Sequence, residues 1–126
     1  RFNIKDGLGL KQLMAAGIEV AWISNGGSPA AVHRARSLGV EKVFIRVEDK
    51  QGCLQDLCLE MGISLEEVAY IGDDLTDREV MRRVGVAFAP HDAVPAIQET
   101  ASVVTSMPGG QGAVREVCDW LLQVTG

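Results

Sequence analysis

The sequence predicts an α/β fold, a parallel sheet with helices packed on both faces. Three observations lead there. Short apolar runs alternate with helix-period stretches along the chain. The runs are hydrophobic nearly throughout, as in strands covered on both sides. The stretches between them are too long for hairpins and suit right-handed βαβ crossovers.

The elements follow in order. Leu10, Leu13 and Met14 lie at helical spacing, so residues 7–16 read as a helix closed by Gly17. Residues 18–23, rich in β-branched side chains, read as the first strand. Ser28 as N-cap and Pro29 in the first turn open a second helix, which Gly39 ends. Residues 42–47 form the second strand. Leu54, Leu57, Cys58 and Met61 share one helical face, giving a third helix from about Lys50 to Met61. Ser64 with Glu67 is a capping box for one short turn. Residues 68–71 are a third strand, and Asp74 or Thr76 starts a helix ending near Val84. Residues 85–88 and 102–105 are the fourth and fifth strands. The last helix carries Val114, Val117, Cys118, Leu121 and Leu122 on one stripe. There are no internal repeats, low-complexity tracts or linkers.

Composition bounds the function. At 126 residues the chain is one domain, 1–126, and 47% hydrophobic residues suffice for a core. A net charge of −5 argues against a nucleic-acid partner, which would need a basic face. No apolar run approaches a membrane span, and no signal or transit segment is present, so no membrane partner is expected. Three cysteines (Cys53, Cys58, Cys118), odd in number and without a CxxC, suit free thiols in a reducing cytoplasm. Residue 1 is Arg and the chain opens in mid-pattern, so it is expected to be N-terminally incomplete.

Ligands of open parallel sheets bind beyond the carboxyl ends of the strands. Ser24-Asn25-Gly26-Gly27-Ser28 follows the first strand. It can cradle an anion, although a tight loop with Ser28 as N-cap is the plainer reading. Lys50 follows the second strand at a helix N-terminus, where the helix dipole disfavours a cation. It is either a solvated lysine or the partner of a phosphate or carboxylate. Asp73, Asp74 and Asp77 follow the third strand. Helix capping and first-turn placement account for Asp74 and Asp77 but not for Asp73. A hard cation such as Mg²⁺ resolves their mutual repulsion. Residues 108–112 hold three glycines, which allow either a close backbone approach or a plain turn. His33 and His91 have no Cys or His partners at metal-binding spacing. A hydroxyl, a lysine and an acid cluster thus follow successive strands, and on one rim they make a Mg²⁺-plus-phosphoryl site.

With these residues in this order, the sequence resembles the haloacid dehalogenase superfamily. Within it, the sequence resembles the capless 3-deoxy-D-manno-octulosonate 8-phosphate phosphatases and the related C-terminal domain of acylneuraminate cytidylyltransferases. The resemblance runs from Phe2 to about Leu122. It is carried by residues 2–9, by the helix bearing Arg34, by residues 68–74 and by residues 109–116. It implies a Rossmann-like three-layer α/β sandwich without a cap. It also implies a Mg²⁺-dependent phosphatase of lipopolysaccharide biosynthesis, a cytoplasmic homotetramer acting on a small sugar-acid phosphate through an aspartyl-phosphate. Ser24, Asn25 and Lys50 would hold the phosphoryl group, and Asp73 the metal. Asp77 would hold Lys50 or a metal-bound water. Arg34, Gly26 and Lys5 would meet the rest of the substrate. Arg115-Glu116 and the glycine loop match a tail that helps close the site within a tetramer.

Two departures accompany the resemblance. No Asp-x-Asp occurs in the 126 residues, so the nucleophile, its acid/base partner and the central strand bearing them are expected ahead of Phe2. Asn25 and Gly26 stand where the family commonly has Gly followed by Arg or Glu, which bears on the sugar acid bound. Two other classes compete. A non-catalytic assembly module of a cytidylyltransferase would tolerate losses among Lys50, Asp73, Asp74 and Asp77, yet all are present. A phosphoacceptor receiver domain would place its acid pair first and its lysine last, the reverse of the order here.

Overall fold

A computed structural model describes residues 17–23, 29–37, 39–72, 75–106 and 113–125. The predicted helix over residues 7–16 lies outside this set. In chain order the elements are strand β1 (Ala21–Ile23), helix α1 (Pro29–Ser37), strand β2 (Lys42–Phe44) and helix α2 (Lys50–Met61). A 3₁₀ turn (Leu65–Glu67) leads to strand β3 (Ala69–Ile71), and a second (Leu75–Asp77) leads to helix α3 (Arg78–Met81). Strand β4 (Val86–Ala89), helix α4 (Pro95–Thr100), strand β5 (Val103–Val104) and helix α5 (Ala113–Thr125) complete the set. Every described strand pair is parallel, as the crossover lengths predict. The described pairings form two sheets, β1-β2 and β3-β4-β5.

The chain divides into two units. One comprises Arg1–Glu48 with Gly110–Gly126, the other Asp49–Gly109. In the first, Trp22 and Val43 sit at paired positions of β1 and β2. Both pack on a core of Ala35, Val40 and Cys118, together with Leu121 and Leu122 of the predicted α5 stripe. β2 stops at Phe44 rather than at Val47, because Arg46 has φ 55°, a left-handed backbone that a strand cannot carry.

In the second unit β4 lies between β3 and β5, with Ala87, Phe88 and Ala89 buried. Met81 and Ala93, with Ile97 of α4, join Ala87 and Ala89 in the core beside them. The predicted bounds of α2 hold. Asp49 caps its start by accepting from the Gly52 N–H (3.0 Å), and left-handed Gly62 ends it, donating to the Cys58 and Leu59 carbonyls. Its inner face carries Lys50, Leu54, Leu57 and Cys58. Burial pushes the Cys58 thiol above its ordinary value, and the nearby Glu67 charge adds to this. At the Leu65–Glu67 turn the Glu67 carboxylate accepts from the Ser64 N–H (3.2 Å).

The helix expected from Asp74 or Thr76 to Val84 is shorter, with a 3₁₀ first turn. It ends at Met81, and farther on the Gly85 N–H donates to the Leu65 and Val68 carbonyls (3.1 Å each) where the chain enters β4. Helix α4, absent from the sequence-based expectation, starts on Pro95 at its first position and buries Ile97. No helix among the described residues is long and apolar enough to cross a membrane.

Ile97 is 0% exposed. Ile97→Ala should therefore lower the unfolding free energy by about 2–5 kcal/mol. Urea denaturation reads this as a lower midpoint, and an unchanged midpoint would show that the cluster around β4 does not hold the unit together.

Candidate active site

The site grows from the two ends of one contact. Lys50 is the first residue of α2, and the Asp49 cap fixes where that helix begins. Asp77 ends the 3₁₀ turn after β3 and stands at the N-terminus of α3, yet its carboxylate makes no cap there. Instead it turns inward. The Lys50 Nζ donates to Asp77 Oδ1 at 2.8 Å, and both residues are buried, at 8% and 3% exposure. The same oxygen accepts the Tyr70 hydroxyl at 2.6 Å.

This arrangement accounts for the misplaced cation. A lysine at a helix N-terminus opposes the dipole, and burying an ammonium costs several kcal/mol unless it is paired. Asp77 supplies the counter-charge. An ammonium carries three protons. Among the described residues, Asp77 Oδ1 is the only acceptor bonded to Lys50.

Gly72 holds the acid in place from behind. Its N–H donates to the Phe88 carbonyl (3.0 Å), which continues the β3-β4 ladder past Ile71. A Cβ on Gly72 would stand 2.7 Å from Asp77 Cβ and 2.6 Å from Met81 Sδ. A side chain there would push Asp77 out of its pocket, so the glycine before the acid pair is a packing requirement.

Of the residues expected at the site, the structure brings Lys50 and Asp77 together, and of the two partners foreseen for Asp77 it shows Lys50. Ser24, Asn25, Gly26, Lys5, Asp73 and Asp74 lie outside the described residues, as does the glycine loop over residues 109–112. Arg34 lies on α1, with its side chain outside the described set. Tyr70 and Gly72 lie in the 68–74 segment that carries the resemblance, but sequence reasoning gave neither a role at the site. The available signal for Tyr70 was a hydroxyl on an otherwise apolar strand, since a buried tyrosine hydroxyl needs a partner. Among the described residues no three acids, histidines or cysteines gather as a metal cluster.

A family model described as haloacid dehalogenase-like hydrolase matches residues 40–116. The chain belongs to this family, within which it groups with the capless 3-deoxy-D-manno-octulosonate 8-phosphate phosphatases. It is 40% identical over 125 residues to 3-deoxy-D-manno-octulosonate 8-phosphate phosphatase KdsC of Escherichia coli K12, a match covering 99% of this chain and 66% of that protein. The chain thus spans about two thirds of the length of the curated relatives it matches. Among solved structures it is similar to a probable YrbI family phosphatase from Pseudomonas syringae pv. phaseolica. That match has 42% identity and a TM-score of 0.97, covering 98% of this chain and 70% of the other. It is also similar to the Moraxella catarrhalis 3-deoxy-D-manno-octulosonate 8-phosphate phosphatase, solved with magnesium ion, phosphate ion and KDO. There the identity is 36% and the TM-score 0.93, covering 95% and 69%.

Removing one partner of a buried ion pair strands the other charge, at a cost of about 3–5 kcal/mol. Asp77→Ala should lose about that much unfolding free energy in urea titration. The double variant Lys50→Met/Asp77→Leu should recover part of it, because an apolar pair leaves no stranded charge. A double variant no more stable than Asp77→Ala would show that the loss is not one of charge.

Proposed function

We propose that the protein is a Mg²⁺-dependent phosphomonoesterase acting on a sugar-acid phosphate such as 3-deoxy-D-manno-octulosonate 8-phosphate. One observation carries the reading. The Lys50 ammonium is buried to 8% exposure, and a single carboxylate oxygen is its bonded acceptor among the described residues. Two further protons remain for a phosphoryl group. In a site of low dielectric such a pre-set donor stabilises developing negative charge far better than water does. The relatives named above support the substrate class.

In this reading an aspartate nucleophile attacks phosphorus, the sugar alkoxide leaves, and water hydrolyses the aspartyl-phosphate. Ser24 and Asn25, like Lys50, would bind phosphoryl oxygens. Arg34, Gly26 and Lys5 meet the sugar-acid end. The donor chemistry fits a hard cation. Carboxylate oxygens suit Mg²⁺, and Asp77 is already held by an ammonium and a hydroxyl. The resemblance assigns the metal to Asp73, next in sequence after Gly72. When bound, Mg²⁺ supplies charge neutralisation for the phosphoryl oxygens. A homotetramer in the cytoplasm, serving lipopolysaccharide synthesis, completes the proposal.

Release of phosphate from 3-deoxy-D-manno-octulosonate 8-phosphate by the full-length protein should require Mg²⁺, and Asp73→Asn should abolish it. Lys50→Ala should lower kcat by roughly 10²–10³, as expected on removing a charge-stabilising donor. Full turnover in chelator, or in either variant, would refute the reading.

Gly26 offers neither charge nor bulk where the resembling enzymes place Arg or Glu. Gly26→Arg should raise kcat/KM for the octulosonate phosphate by roughly one to two orders of magnitude. That is the rate equivalent of one charge-assisted hydrogen bond. It should change an aryl phosphate little. Equal effects on both substrates would make Gly26 a loop glycine and no more.

A further inference from the structure

We infer that Tyr70 is a positioning residue of the phosphoryl site, its hydroxyl fixing the Asp77 carboxylate so that Lys50 is aimed at the substrate. The inference rests on the reading of Lys50 given above and extends it to a residue outside the acid-and-lysine motif.

The geometry is a shared acceptor. Asp77 Oδ1 receives the Lys50 ammonium at 2.8 Å and the Tyr70 hydroxyl at 2.6 Å. A phenol–carboxylate contact of that length is a charge-assisted bond, among the stronger kinds in proteins. The two donors differ in stiffness. Lys50 ends a flexible four-carbon stem. Tyr70 has a rigid ring that packs against the cluster of Met81, Ala87, Ala89, Ala93 and Ile97. Its backbone is paired in register with Ala87 of the buried strand β4. Of the two, the hydroxyl is the fixed point. It pins Oδ1 in place, and the ammonium takes its position from that oxygen.

A phenylalanine would fill the same apolar space, so packing does not call for the hydroxyl. The acid it meets is the one that holds the lysine.

The test is a double-mutant cycle on the full-length protein, with Mg²⁺ and 3-deoxy-D-manno-octulosonate 8-phosphate. Tyr70→Phe should lower kcat roughly tenfold, equivalent to about 1.4 kcal/mol, while KM shifts by no more than about twofold. In an Asp77→Asn background the same change should cost less than about twofold, because the hydroxyl acts through that carboxylate. No loss in the wild-type background, or the same factor in both backgrounds, would overturn the inference. A readout independent of turnover accompanies it. Nitrogen-15 NMR of the Lys50 ammonium should show its protons exchanging with water several-fold faster in Tyr70→Phe, and unchanged exchange would also overturn the inference. A wild-type protein without turnover, whose ammonium exchange still responds to Tyr70→Phe, would count against the phosphatase reading alone.

Discussion

Oδ1 of Asp77 joins the first turn of α2, strand β3 and the start of α3. Neither charge of the Lys50–Asp77 pair could be buried alone. The lysine faces an unfavourable helix dipole, and an unpaired carboxylate at 3% exposure would be neutralised or expelled. Each becomes tolerable through the other, so the position of α2 relative to β3 is fixed by electrostatics as well as by apolar packing. The contact links residues 27 apart in sequence, which makes it a tertiary constraint that no local propensity supplies.

The surrounding residues serve that constraint. Asp49 sets the first turn of α2, so that Lys50 emerges at a defined place. Gly72 removes the bulk that would otherwise displace Asp77. The Phe88 carbonyl holds Gly72 to the most buried strand of the unit. Rigidity thus passes from the core strand to the glycine, from the glycine to the acid, and from the acid to the lysine. A flexible side chain becomes a fixed charge because every residue behind it is packed or bonded.

Much of this was legible in the sequence, for identifiable reasons. Parallel α/β pairing followed from apolar strands separated by crossovers, and α2 was readable because Leu54, Leu57, Cys58 and Met61 share one helical spacing. Lys50 stood out as a cation where the dipole opposes one, and Asp77 as part of an acid cluster. Helix α4 escaped because its Pro95–Thr100 span is too short for a 3.6-residue period to declare itself. The end of β2 escaped because nothing local marks Arg46 as left-handed. Tyr70 escaped for a different reason. A tyrosine in an apolar strand satisfies the hydrophobic pattern by its ring, and the direction of its hydroxyl is a tertiary fact.

The division of the chain has a consequence for the order of events during synthesis. The unit bearing the Lys50–Asp77 contact is one uninterrupted stretch, Asp49–Gly109, whereas the other joins Arg1–Glu48 to Gly110–Gly126. Its core needs Cys118 of α5 beside Ala35 and Val40. A ribosome adding about 5–20 residues per second delivers the whole continuous unit before α5 leaves the tunnel. Until then β1 and β2 have Trp22 and Val43 without their covering helix. The nascent chain therefore carries an assembled charge pair in one unit while the apolar surface of the other is still unfinished.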